Sequence, residues 1–397
     1  MWIYLLIFLV ALLGVSNTKL TRSTGYLACF FIFLALFVGL GDMLGGYDRY
    51  IYTDLFDGAY NVRIRDISVK ETTLWGYKTE YGYVFLNYLI SFITANRYIF
   101  ILILTCLIYA MMYQSFKEYM DSYPIAIVLF LALMFFFTFT YLREITGVCF
   151  GWFAVRYAYR RKPILFFLFA YIAYICHNSA AILFPFYFLP AYKWRKSFVV
   201  LAMFVIFCIG LTPFPTSLFK AYSEVIDDGG RSASYQGDYD AGHFRLEYLI
   251  EAAFFMYLIL INYDKIPNTR KNLMMLNSAI VFCAVITFFV RSSNGGRLGW
   301  YYAIGVISTM TTILTQRGVR SQLRPFLLIV CFFLYFRILN GWGMLLSPYK
   351  SFLTDGHREG DYIFEYYEYD LRYDEDKFYR PPFVLFKSKE ELLREEL

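Results

Sequence analysis

The sequence predicts an all-α protein, a polytopic transmembrane helix bundle of about 12 spans with one further short interfacial or re-entrant helix. Three observations predict it. Of 397 residues, 59% are apolar and 22% aromatic while only 17% are charged, a balance outside that of soluble domains. Apolar runs of membrane length recur along the chain. The loops between those runs segregate charge by sign.

The elements follow in order. Residues 1 to 15 lack a basic n-region and a small-residue cleavage site, so they read as a retained first span. The clearest further runs cover 25 to 44, 98 to 116, 124 to 140, 246 to 262, 272 to 290, 298 to 314 and 325 to 347. Between 141 and 212 the runs are shorter and cut by charges. They read as 143 to 158, 163 to 176, 179 to 192 and 198 to 212, lengths that suit helices packed inside a bundle. The segment 82 to 95, GYVFLNYLISFITA, covers about two thirds of a ~30 Å hydrocarbon core at 1.5 Å per residue. It carries Asn87 mid-run, where a lipid-facing amide is costly, so it reads as interfacial or re-entrant. A membrane domain thus occupies 1–347, with long loops at 45–80 and 213–245. The tail 348–397 loses the apolar runs, holds 13 acids against 8 bases, and reads as an extramembrane appendage.

Orientation follows from Lys and Arg in short loops. With residues 16 to 24 cytoplasmic, the same face receives 117 to 123, 156 to 162, 193 to 196, 263 to 271 and 315 to 324. Those loops carry 16 of the 37 basic residues and, among acids, only Glu118, Asp121 and Asp264. Both termini and both long loops then lie outside, with 28 of the 31 acids. Counting 82 to 95 as a span would put Arg156, Arg160, Arg161 and Lys162 outside, against the charge rule.

Several classes of function are excluded. A net charge of +6, dispersed over cytoplasmic loops, is no nucleic-acid footprint. Seven cysteines stand singly in mostly apolar surroundings and only three histidines are present, so no metal site is expected. No Walker loop, dinucleotide fingerprint or HExxH element occurs, and no cofactor is expected.

Candidate chemistry collects on the outer face. Arg143 and Glu144 open a helix after FFFTFTY. Glu144 complements the helix dipole, whereas a cation there is disfavoured by ~0.3–1 kcal/mol, which makes Arg143 a candidate anion ligand. His177, Asn178 and Ser179 join two short helices. Asn178 or Ser179 can cap the second, and His177 is left as a candidate proton-transfer group. Arg291 and Arg297 flank SSNGG, and with the amides of Gly295 and Gly296 they form a candidate phosphate or pyrophosphate clamp. Asp48, Asp54, Asp57 and Glu80 lie in the first long loop, Asp54 and Asp57 sharing one helix face. Such carboxylates are usually solvated surface groups, but they are also what deprotonation of a hydroxyl requires. Many of the 38 tyrosines fall near helix ends, where they form an interfacial belt and offer flat faces for pyranose rings.

The order of these features resembles a known family. A short first span is followed by an outer loop with Gly46, Asp48 and Tyr52, then Glu80 and Gly82 before NYLISFI. After these come LRE at 142–144, VRYAYRRKPILFF, and HNSAAILFPFYFLP. Together, over roughly residues 1 to 315, these resemble the EpsG family of exopolysaccharide membrane proteins, which is similar to Wzy-type repeat-unit polymerases. The resemblance implies a membrane glycosyltransferase of a bacterial plasma membrane. Its donor is a glycan on undecaprenyl diphosphate, transferred at the outer face to the next lipid-linked unit. Arg143 and His177 match the family's recurring Arg and His positions and Asp48 and Glu80 its loop pattern, so His177, Asp48 and Glu80 are the expected catalytic residues and Arg143, with Arg291 and Arg297, an expected diphosphate ligand. Membrane lipids, a flippase and chain-length regulator proteins are the expected partners. A flippase of the same lipid-linked oligosaccharide, or a ligase using the same donor, is the alternative. The one-sided charge distribution disfavours the flippase, which needs charged groups deep in a two-sided cavity.

Overall fold

The computed structural model describes residues 2–41, 48–226, 244–292 and 295–342, together with 346, 349, 351 and 353. Among the described residues the regular structure is helical, with one isolated antiparallel bridge between Gly41 and Ser351. The helices are α1 (Trp2–Ser16), α2 (Thr24–Gly39), α3 (Asp48–Arg65), α4 (Tyr81–Ser91), α5 (Arg97–Tyr119), α6 (Tyr123–Leu133), α7 (Phe137–Thr140) and α8 (Leu142–Tyr159). They continue with α9 (Pro163–Cys176), α10 (Lys196–Gly210), α11 (Phe214–Ile226), α12 (Leu246–Ile261), α13 (Arg270–Phe288), α14 (Gly295–Thr315) and α15 (Leu323–Gly341).

Each expected apolar run carries helix, and the helices differ in length. By length and composition α5, α13 and α15 can each cross a membrane, while α1, α2, α6 and α9 are apolar but only 15, 16, 11 and 14 residues long. Among the described residues there are thus three clear candidate spans, or four if α10 and α11 form one bent span, beside shorter apolar helices, and a count of about 12 full spans is not established. Two of the expected runs are broken. The run 124–140 is interrupted after Leu133, and the run 179–192 is a 3-10 helix over Asn178–Phe188 with Pro185 inside it. Proline removes a donor and crowds the preceding turn, so a regular α-helix does not form there. The first long loop is itself helical, as α3. The 348–397 tail lies outside the described residues except for Tyr349, Ser351 and Leu353, as do residues 227–243 of the second long loop.

The side-chain pattern explains why short apolar helices persist. On α15, Leu327, Cys331, Tyr335 and Leu339 recur every fourth residue and are buried, while Phe326, Ile329 and Phe333 are exposed. Helix α1 repeats the pattern, with Tyr4, Phe8, Ala11 and Val15 buried against exposed Leu6, Leu9 and Leu13. The packed face follows the 3.6-residue period, and the opposite face is apolar rather than charged, as a lipid solvent requires. Helix α4 rises only about 16 Å, half of a ~30 Å core. Its Asn87 is turned inward, donating to the Tyr83 carbonyl at 2.8 Å, while Phe85 and Leu89 are exposed.

The chain divides into two compact units. The first contains Met1–Lys117, Tyr123–Thr146 and the residues from Arg324 onward; α1 packs on α6, and α3 on α4 and α7. The second contains Glu118–Ser122 and Gly147–Leu323, and its most extensive packing joins α13 to α14. Gly305 makes that approach possible. A Cβ there would meet Ser278 Oγ at 2.5 Å and the Ala279 backbone nitrogen at 2.6 Å. Gly305→Ala must push the helices apart and is expected to destabilise by about 1–3 kcal/mol, the range for overpacking. Thermal unfolding in detergent checks this, and an unchanged melting temperature would refute it.

Candidate functional site

In the first unit, three segments converge where the chain breaks between α7 and α8. Tyr141 leaves helical geometry there (φ −88°, ψ 48°), so carbonyls at the end of α7 lack intrahelical partners. Arg49 supplies donors at this corner. Fully buried, it donates from Nε to the Phe139 carbonyl at 2.6 Å and from its terminal nitrogens to those of Val38 at 2.6 Å and Gly41 at 3.0 Å. A cation is favoured at helix C-termini, and a guanidinium can reach all three carbonyls at once. One side chain thus ties the end of α2 and the end of α7 to the start of α3. Asp48, in the first turn of α3, makes a separate contact at this corner, its backbone N–H donating to Thr140 Oγ1 at 3.2 Å.

Arg143, at the start of α8, lies 2.8 Å from Glu80 Oε2 and 4.8 Å from the Tyr77 ring centroid. Glu80 is 2% exposed and Arg143 9%, so the carboxylate offsets both the burial of the guanidinium and its unfavourable place at a helix N-terminus. Two expected site residues, Glu80 and Arg143, are therefore ion-paired, and Asp48 is attached to the same α7–α8 break. Glu144, expected to complement the helix dipole, lies in the first turn of α8 and is buried.

Asp54 and Asp57 do share a face of α3, and both meet Arg97. Arg97 Nε donates to Asp57 Oδ2 at 2.8 Å, a terminal nitrogen reaches the same oxygen, and Asp54 Oδ1 lies 3.7 Å away. Burial pushes both carboxyl groups above their ordinary range, and Arg97 pulls them part of the way back. This cluster fastens α3 to α5.

The second unit holds the remaining candidates. His177 ends α9 in extended conformation, and its side chain caps the 3-10 segment, accepting from the Ser179 backbone N–H at 3.3 Å. Ser179 Oγ lies 2.6 Å from His177 Nδ1 and 2.9 Å from Tyr301 Oη, and Tyr222 Oη donates to the Asn178 carbonyl at 2.7 Å. Arg297 is one turn before Tyr301 on α14, so the two share a helix face. Arg291 is exposed and donates to the Leu211 carbonyl at 3.1 Å.

Gly295 and Gly296 open α14. A Cβ on Gly295 would lie 2.6 Å from Phe289 Cβ, and one on Gly296 2.9 Å from Tyr248 Oη. Packing against protein accounts for both glycines without a ligand. Ser293 and Asn294 of the SSNGG turn lie outside the described residues. Of the expected clamp, Arg143 belongs to the first unit and Arg291 and Arg297 to the second.

Sequence reasoning missed Arg49, Tyr301 and Tyr77. Arg49 had a visible signal, a cation followed by the apolar-aromatic text YIYTDLF; the other two were lost among 38 tyrosines.

No curated protein and no solved structure matches the chain. The EpsG family model matches residues 26–351, a range that includes Asp48, Glu80, Arg143, His177, Arg291, Gly295, Gly296 and Arg297. With a match over most of its length and helices apolar enough to cross a bilayer, the chain is an integral membrane protein that belongs to the EpsG family.

Proposed function

We propose that this protein polymerises lipid-linked oligosaccharide repeat units in exopolysaccharide, capsule or O-antigen synthesis. The donor is a glycan on undecaprenyl diphosphate, and transfer takes place at the outer face of a bacterial plasma membrane with both chain termini outside. The observation that supports this best is Arg143, a guanidinium anchored by Glu80 and Tyr77 at a helix N-terminus, where backbone N–H groups add to its pull on an anion. A diphosphate is a built-in leaving group, so the reaction needs cations to receive it and a group to take the acceptor proton, but no nucleotide.

In this reading Arg143 binds the diphosphate and Glu80 orients Arg143. Asp48, held in the first turn of α3 by its N–H bond to Thr140, takes the acceptor proton. Within the second unit, Arg291, Arg297, Gly295 and Gly296 are the proposed phosphate ligands and His177 the proposed proton-transfer group. The experiment is to remove the protein and identify the lipid-linked products that accumulate. Single repeat units on the carrier at the outer leaflet are expected. Full-length chains retained on the carrier would mean a ligase, and units trapped on the inner leaflet a flippase.

A further inference from the structure

Between the 3-10 helix that ends at Phe188 and the start of α10, the chain runs without helix or strand through PAYKWR, residues 190–195. This segment is fixed from beneath. Asn277 of α13 is buried, and its Nδ2 donates to the carbonyls of Pro190 at 2.7 Å and Tyr192 at 3.2 Å. Lys193 Nζ donates to the Ile266 carbonyl at 2.8 Å and stands 5.4 Å from the ring centroid of the buried Tyr263. All of these residues belong to the second unit.

A segment pinned in this way presents its other side chains in a set arrangement, and what it presents is cationic. Lys193, Arg195 and Lys196 are near neighbours in the chain, and the acid that meets them is Asp264, 2.6 Å from Lys196 Nζ. Both partners of that pair are exposed, so it competes weakly with another anion. Lys193 rests on a carbonyl and a ring, neutral partners that do not cancel its charge. Arg195 is exposed.

Aromatic and apolar surface follows directly. The Trp194 ring stacks on Phe198 with centroids 5.2 Å apart, and Tyr192 meets Trp194 edge-on at 5.5 Å. Beyond Phe198, α10 exposes Val200, Leu201, Phe204 and Val205, and of its residues only Val199 and Gly210 are buried. At 1.5 Å per residue the helix rises about 22 Å, more than one leaflet of a ~30 Å core. Trp and Tyr concentrate at headgroup level, which puts the cations at the depth of lipid phosphates and the apolar face against acyl chains.

We infer that this face of the second unit is a binding site for one anionic phospholipid, its phosphate held by Arg195 and Lys196 and its chains lying along α10. Lys193, anchored on Ile266, adds to the positive field. A zwitterionic headgroup offers the same phosphate but brings its own ammonium, which the three cations repel, so the site selects net negative charge. The site is independent of the polymerase reading.

The chain holds six tryptophans, so the fluorescence of the full-length protein less that of Trp194→Phe isolates Trp194. The protein is reconstituted in phosphatidylcholine vesicles containing phosphatidylglycerol, with quenching bromine atoms on the chains of one lipid or the other. Quenching of Trp194 against the mole fraction of brominated lipid gives a relative association constant. It is expected to favour phosphatidylglycerol by roughly 25-fold, about fivefold for each of the two phosphate-holding cations. Arg195→Gln and Lys196→Gln should each lower that preference about fivefold, while Arg195→Lys keeps it. Both side chains are exposed, so the melting temperatures of these variants should match that of the unaltered protein. Equal quenching by the two brominated lipids in the unaltered protein would overturn the site, and so would a preference that survives loss of both cations. Excess inorganic phosphate at constant ionic strength should leave the preference in place. A preference abolished by it would mean a site for free phosphate and would refute the lipid.

Discussion

Replacing Arg49 with alanine is expected to destabilise the protein by about 3 kcal/mol or more, since three buried carbonyls lose their donor at about 1–3 kcal/mol each. The guanidinium is fully buried and serves the carbonyls of Val38, Gly41 and Phe139, which terminate or follow two different helices. The corner is buried inside the protein, so each carbonyl that loses its donor bears its desolvation cost. Arg49→Lys keeps the charge but offers a compact ammonium in place of a planar fork, and should recover only part of the loss. Thermal unfolding and limited proteolysis of the detergent-purified variants measure this. An alanine variant that melts with the unaltered protein would show that the three carbonyls find other donors and that Arg49 is not the staple of this corner.

Arg49 also shows which parts of the molecule are legible in a sequence. The apolar runs are read directly, because a helix in lipid must be apolar on its outward face and the 3.6-residue period then sorts what remains, as for Leu327, Cys331, Tyr335 and Leu339. Breaks are harder to read. Pro185 is visible, yet hydropathy averaged over a window passes through it, and the interruption at Tyr141 has no proline at all. Partners across long separations are harder still. Glu80 and Arg143 were each singled out by residue type and by resemblance to the family. That they pair, at 2.8 Å across 63 positions of chain, follows from how α3, α4 and α8 meet and from nothing local to either residue. Gly295 and Gly296 show a reason for glycine that no sequence displays, since a Cβ at either position would meet Phe289 or Tyr248.

The Arg143–Glu80 pair carries the second large effect, and testing it requires separating folding from turnover. Under the proposed function, Arg143→Ala removes a charged donor that strengthens as the diphosphate departs, which should cost ~2.7–4 kcal/mol or roughly 100- to 1,000-fold in turnover. The same substitution strands a buried carboxylate, a fault that by itself costs about 3–5 kcal/mol of stability. A loss of activity in the single variant is therefore ambiguous. Removing both charges, as Arg143→Met with Glu80→Gln, takes away the stranded ion, and replacement of a buried pair by groups of similar volume is often neutral in stability. The double variant should melt close to the unaltered protein and still be at least ~100-fold slower in forming polymer from purified lipid-linked units. Arg143→Lys should also be slow, because an ammonium cannot hold Glu80 and a diphosphate oxygen in the geometry a guanidinium allows. A double variant that folds and polymerises at near-normal rates would make the pair a structural clip between α4 and α8, and would move the diphosphate site away from Arg143.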